Sequence, residues 1–142
     1  MIIKQLTVFL ENKTGRLNEV SQLLGNSGIN MSAMSLADTS EFGILRMIVS
    51  EPEKALSILK DAEFSVRLTD VICLNSPNEP GALALALNIL SGENVFIEYL
   101  YAYSMDNKTA NIVLKPDNIA KCIAVLQKHK MELVSASEMY KI

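Results

Sequence analysis

Tryptophan is missing from the 142 residues of the chain, histidine occurs once, and cysteine occurs twice. Each scarcity closes off a class of function. Cys73 and Cys122 form no C-x-x-C pair and have no histidine beside them, so neither a zinc site nor a dithiol redox centre is expected. They read as small buried residues in a reducing compartment. The lone histidine, His129, lies between Lys128 and Lys130, and a Ser-His-Asp or Cys-His nucleophile would have no other base to use. There is no Walker-type phosphate loop and no G-x-G-x-x-G. No catalytic residue, metal or cofactor is assigned, and the chain reads as a non-enzyme. A long apolar run is also missing. The longest, residues 82–87, is far too short to cross a bilayer, and no basic segment followed by an apolar one opens the chain. A cytoplasmic protein without a membrane partner is expected. Nor is there a basic excess: the net charge is −3, which argues against a nucleic-acid partner.

What the chain does have is a repeat. Ile72-Cys73-Leu74 followed by Pro77-Asn78-Glu79-Pro80-Gly81-Ala82-Leu83 matches Leu6-Thr7-Val8 followed by Glu11-Asn12-Lys13-Thr14-Gly15-Arg16-Leu17. Asn12 falls on Asn78, Gly15 on Gly81 and Leu17 on Leu83. The register then continues with Leu23 on Ile89, Leu24 on Leu90, Ile29 on Val95 and Met31 on Ile97. Further on it slips by a residue, where Leu56 and Leu59 fall on Ile123 and Leu126. Self-similarity at one period indicates two copies of one structural unit.

Hydrophobic periodicity orders the elements within each copy. Leu6, Val8 and Leu10 alternate with Thr7, Phe9 and Glu11, the period of a half-buried strand. Leu17, Val20, Leu23 and Leu24 recur at helical spacing, and Asn26-Ser27-Gly28 is a helix stop. Residues 29–37 and 44–49 read as strands around a turn at residues 38–41. Ser50-Glu51-Pro52-Glu53 has the form of a capping box with an early proline, opening a helix whose face is Ala55, Leu56, Leu59 and Ala62. Residues 65–70 return as a strand. The second copy repeats the series: a strand at 71–74, a helix striped by Leu83, Ala86, Leu87 and Leu90, strands at 95–104 and 109–114, a helix striped by Ile119, Cys122, Ile123 and Leu126, and a closing strand at 133–140. The order β-α-β-β-α-β, twice, predicts an α+β fold of two tandem ferredoxin-like domains, residues 1–70 and 71–142. No linker separates them: the last strand of one runs into the first strand of the next near Asp70. The edge strands 29–37 and 95–103 are expected to pair side by side into an eight-stranded sheet, removing two exposed edges.

The turn Asn78-Glu79-Pro80-Gly81-Ala82-Leu83, after a strand and before a helix, resembles the signature turn of the ACT domain. So does Gly28-Ile29-Asn30-Met31 after the helix. Asn12-Lys13-Thr14-Gly15-Arg16-Leu17 departs from the pattern where Thr14 replaces proline, and Glu93-Asn94-Val95-Phe96 departs at the positions of Gly28 and Asn30. The resemblance covers nearly the whole chain. It implies a small-molecule sensor, most often for amino acids, with the ligand between the glycine turn of one copy and the edge strand of its neighbour. It also implies a homo-oligomer or a metabolic enzyme as partner.

The ligand-binding residues expected on this basis are Asn12, Thr14, Gly15, Arg16, Leu17, Asn30, Met31, Asn78, Glu79, Gly81, Ala82, Leu83 and Ile97. Physical chemistry favours the same place. A helix N-terminus presents unpaired N–H groups and a partial positive charge, which suits a carboxylate. Glycine lets a ligand approach the backbone closely. Arg16 can add a charge-assisted hydrogen bond, and the asparagines or edge-strand carbonyls near Met31 and Ile97 can accept from an ammonium. The bland alternative is open as well: a turn glycine often serves only the turn, and asparagine there often only caps a helix. Two other functions stay open. One is a regulatory subunit of an amino-acid biosynthetic enzyme such as acetolactate synthase, acting by protein–protein binding. The other is RNA binding, since Tyr99, Tyr101 and Tyr103 share one face of a βαββαβ sheet.

Overall fold

The computed structural model of the chain describes residues 1–11, 13–39, 41–104 and 106–141. The elements in chain order are β1 (Ile3–Glu11), α1 (Arg16–Asn26), β2 (Met31–Asp38), β3 (Phe42–Val49), α2 (Pro52–Asp61), β4 (Ser65–Pro77), α3 (Ala82–Gly92), β5 (Ile97–Tyr103), β6 (Thr109–Pro116), α4 (Ile119–Lys128), β7 (Glu132–Leu133) and α5 (Ala136–Tyr140). They form two compact domains. One is built from Lys4–Thr69 with the C-terminal segment from Ser137, the other from Asp70–Ala136 with Met1–Ile3.

In the first domain the strands lie in the order β2-β3-β1-β4, with β3 antiparallel to both β1 and β2. Alternation along β1 sends Leu6, Val8 and Leu10 to the helix-covered face. There they meet Val20 and Leu24 of α1, Ala55 and Leu59 of α2, and Leu45, Met47 and Val49 of β3. Leu6, Leu24, Leu45 and Leu59 are almost fully buried. Each such side chain contributes roughly 1.5–3 kcal/mol relative to exposure, which is what selects this register over its one-residue slip.

The second domain repeats the frame with the order β7-β4-β6-β5. Ile72, Leu74, Ile112 and Leu114 face Ala86 and Leu90 of α3 and Cys122, Val125 and Leu126 of α4. Leu24 and Leu90, aligned by the repeat, hold the same place in their cores.

The four long helices end alike. After α1, Ile29 N–H donates to Leu24 O at 2.9 Å and Gly28 N–H to Gly25 O at 3.1 Å. After α3, Val95 donates to Leu90 and Asn94 to Ser91, and α2 and α4 close in the same way through Phe64 and Met131. This paired bonding satisfies the last carbonyls and needs one residue at positive φ. Gly28, Glu63, Asn94 and Lys130 take that position, at φ 73°, 67°, 59° and 58°. Asn94 therefore does the work of Gly28, so the departure of the second copy at that place leaves the geometry intact.

Two expectations are corrected. The closing strand at 133–140 is only the two residues of β7, after which the chain turns into α5. There Met139 is buried and the Tyr140 hydroxyl accepts from Lys4 N–H at 2.7 Å. The capping box at Ser50 does not form, because Glu51 is the N-cap and makes no side-chain cap bond. Ser50 Oγ accepts from Asn30 N–H at 3.0 Å, while Pro52 does stand in the first turn. Within its own domain β2 pairs with β3, and within its own domain β5 pairs with β6. Each is the edge of its own sheet, with β3 and β1 between β2 and β4, and β6 between β5 and β4. β4 is one strand of thirteen residues, Ser65–Pro77, that passes Asp70 without a turn.

Candidate functional site

Both signature turns enter their helices in the same conformation. Gly15 and Gly81 are the N-caps of α1 and α3, at φ 91° and 88°, and a Cβ at either would meet no atom within 4 Å. Neither helix start receives a side-chain cap. At α4, by contrast, Asn118 Oδ1 accepts from Lys121 N–H at 3.0 Å. The glycines are thus required by backbone conformation, and the amides that follow them, Arg16 N–H and Ala82 N–H, reach back to Lys13 O at 3.4 Å and Glu79 O at 3.3 Å, with no side chain capping the turn.

In the first domain this helix start borders a cavity of about 360 Å³. It is lined by Leu10, Glu11, Lys13, Thr14, Arg16 and Leu17 on the β1–α1 side, and by Leu36, Asp38 and Gly43 from β2 and β3. The topology accounts for the meeting. β1 ends where α1 begins, and the antiparallel pairings Leu10 to Gly43 and Asp38 to Gly43 bring the far end of β2 to the same rim. Leu36 is 53% exposed and supplies apolar surface there. Glu11 is held by Lys13 Nζ at 2.9 Å and Arg16 Nη2 at 3.6 Å. The hydrogen bond and charge of Lys13, then the charge of Arg16, hold its carboxyl below the usual range. Arg16 also reaches Glu19 at 3.2 Å, and its Nε is buried with no hydrogen-bond partner among the described residues.

A second cavity of about 520 Å³ opens on the other side of Arg16 and Glu11. It is lined by these two with Phe9, Phe42, Glu63, Phe64 and Ser65. The second domain has a counterpart of about 320 Å³ at the aligned positions, lined by residues that include Asn75, Pro77, Glu79, Ala82, His129, Lys130, Met131 and Glu132.

Of the expected site residues, Thr14, Arg16 and Leu17 gather around Gly15 at one groove, and Glu79 and Ala82 flank Gly81 at another. Leu83 is exposed in the first turn of α3. Asn78 is held by its backbone, whose N–H donates to Lys108 O at 2.9 Å. Asn30 and Met31 stand at the start of β2, after the C-terminus of α1, and the eleven residues of that helix, roughly 16 Å of rise, separate them from Gly15 in their own domain. Ile97 has the same relation to Gly81 and packs on the second core. Asn12 lies outside the described residues, as does Ser40 of the turn at 38–41. Glu11, Leu36, Asp38 and Gly43 were not anticipated. The available signal was topological: in this frame the end of β2 returns to the turn before α1.

Cys73 and Cys122 are buried free thiols. Among the described residues no three His, Cys, Asp or Glu side chains gather as a metal site, and no helix is long and apolar enough to cross a membrane.

Two βαββαβ domains in tandem, each with a left-handed glycine before its first helix, define a class of paired α+β modules. The sequence profile of the ACT domain pair matches residues 1–142, and the chain belongs to that family. The crystal structure of protein BT0572 from Bacteroides thetaiotaomicron is 51% identical over the whole of this chain and 98% of that one, with a TM-score of 0.96. The regulatory subunit of aspartate kinase from Thermus thermophilus, in a ligand-free form, shares the fold at 13% identity and a TM-score of 0.64, over 89% of this chain and 93% of that one. The corresponding subunit from Thermus flavus does so at 14% identity and 0.60, over 88% and 90%. No match is found among curated proteins.

Proposed function

We propose that the chain is a regulatory sensor that binds a free amino acid beside the glycine turn of its first domain. The observation that carries this reading is the uncapped start of α1 at Gly15, opening onto the cavity shared by Thr14, Arg16, Leu17, Leu36 and Asp38. The positive end of the helix and the guanidinium suit an α-carboxylate. The Asp38 carboxylate across the groove suits the ammonium, and Leu36 with Leu17 suits an apolar side chain. Binding would stabilise one arrangement of the chain that a partner enzyme reads.

A thermal-shift screen of the twenty amino acids tests this. A ligand at a hundred times its Kd adds roughly 2.7 kcal/mol to the state that binds it. One amino acid, or one chemical group of them, should raise the midpoint, and Leu36→Ser should remove the effect. If all twenty leave the midpoint unchanged, the sensor reading falls.

A second reading, a subunit that acts mainly by protein–protein contact, is favoured by α3. That helix carries no charged residue and exposes Leu83 and Leu85, the latter by 57%. The name of the Thermus proteins, regulatory subunits of aspartate kinase, is compatible with either reading. Co-purification of a larger enzyme that survives gel filtration, and is lost with Leu85→Lys, would select the second.

A further inference from the structure

Arg16 and Glu11 form the wall between two cavities, and only one of these belongs to the glycine turn. The other is the larger, at about 520 Å³, within the size of small-molecule sites. Its composition is unusual for this chain. Only 6% of all residues are aromatic, yet Phe9, Phe42 and Phe64 converge here from three separate elements. Strand pairing explains how: Phe42 lies directly opposite Glu11, and Phe9 is two residues along the same strand, so the three side chains share a sheet face. Phe64 arrives from the loop between α2 and β4. Phe42 is 43% exposed, an aromatic ring left at the rim. The guanidinium of Arg16 lies 4.7 Å from the Phe64 centroid and that of Arg67 lies 5.3 Å from the Phe9 centroid, so cations already lie over two of these rings. The cavity itself is lined by two carboxylates, Glu11 and Glu63, and by the guanidinium of Arg16, with that of Arg67 beside Phe9.

We propose that this groove is a second ligand site, taking a free aromatic amino acid. Its ring would lie against Phe42 and Phe9, its carboxylate on Arg16, and its ammonium between Glu63 and Glu11. Ring-on-ring contact supplies the selectivity for aromatic over aliphatic side chains. The mixed charges of the rim match a zwitterion better than an acid or an amine alone. The repeat supplies an internal comparison. The aligned groove of the second domain has Asn75 for Phe9, Ala82 for Arg16, Lys130 for Glu63 and Met131 for Phe64, so the ring wall and the guanidinium are both gone. One aromatic ligand per chain is therefore expected, not two. The assignment does not require the glycine-turn groove to be occupied.

Because the chain has no tryptophan, L-tryptophan can be followed by its own emission and anisotropy as the 142-residue chain is added. Saturation at one ligand per chain is expected. L-phenylalanine should compete, whereas L-leucine, 3-phenylpropanoate and phenethylamine should compete far less. Phe42→Ala, at an exposed position, should weaken binding about tenfold or more, and Glu63→Gln should weaken the amino acid but not 3-phenylpropanoate. Leu36→Ser, in the glycine-turn groove alone, should leave L-tryptophan binding unchanged. Absence of saturable binding by every aromatic amino acid overturns the proposal, and so does equal competition by the desamino acid. If Leu36→Ser abolishes L-tryptophan binding while Phe42→Ala does not, this site is overturned and the sensor reading stands. If another amino acid shifts the melting point in a Leu36-dependent way and no aromatic one binds, the outcome is the same. If aromatic binding depends on Phe42 and nothing binds at the glycine turn, the sensor site falls and this one remains.

Discussion

The guanidinium carbon of Arg16 lies over Phe64, 4.7 Å from the ring centroid, while its two terminal nitrogens reach Glu11 and Glu19. One side chain at the first position of α1 thus ties the helix start to the end of β1 and to the loop after α2. The carboxylates of these ion pairs are exposed and screened by solvent, so the pairs add little stability. The stacking over a nearly buried ring adds about 0.5–1 kcal/mol. A double-mutant cycle of Arg16→Gln with Phe64→Leu, read by urea denaturation, should give a coupling of about 0.5–1 kcal/mol. Strict additivity would show that the stacking contributes nothing.

Gly15→Ala and Gly81→Ala should each destabilise by about 1–2 kcal/mol, the penalty for an L side chain in the left-handed region. No collision adds to it, since the space around each Cβ is empty. The two values should agree, because the two φ angles do. A cost above about 4 kcal/mol at either position would mean that the glycine serves packing as well.

The thiols of Cys73 and Cys122 are pushed up by burial, to about 12 and about 11. At pH 8 almost no thiolate is present, and the thiolate is the reactive form. Labelling by a thiol reagent should therefore be slow in the native protein and fast for both residues in urea. Rapid native labelling at Cys73 would place it at the surface and contradict its burial.

Asp106 accepts hydrogen bonds from the backbone N–H groups of Thr109 and Lys108, at 2.9 and 2.8 Å, and these hold its carboxyl below its ordinary value of 3.8. A carboxylate shifted downward by folding contributes stability above its unfolded value, and that contribution is lost as the pH falls through the folded one. Carboxyl-detected NMR should find Asp106 titrating below 3.8, and Asp106→Asn should flatten this part of the acid transition. A midpoint above 3.8 would show that the turn does not hold the charged form.

Most of the frame was legible from pattern because each copy keeps strict alternation in its strands and a helical stripe between them, and because the repeat cross-checks each reading. Met139 and Tyr140 were misread for a definite reason. In 133–140, Leu133, Ser135, Ser137 and Met139 fall at every second place, while the helical spacing of Ala136, Met139 and Tyr140 is no weaker. What separates the two is a contact with Lys4 from the other end of the chain, which no local window contains. The same holds for the grooves. Gly15 and Arg16 announce themselves at a turn. Leu36, Asp38 and Phe42 become neighbours of that turn only through antiparallel pairing, and Phe64 only through the return of α2.

The backbone at Gly15 and Gly81 also has a stereochemical meaning. Reflected through a mirror, φ 91° and ψ −8° become angles that any ordinary L residue adopts at the end of a turn. At these two places the chain uses its one achiral residue as though it were a D amino acid. A semisynthetic protein with D-alanine at either position would keep the fold and lose the entropic penalty of glycine. The L enantiomer at the same atom count would add the cost of about 1–2 kcal/mol of the left-handed region, so handedness itself, and not size, is what the two turns select.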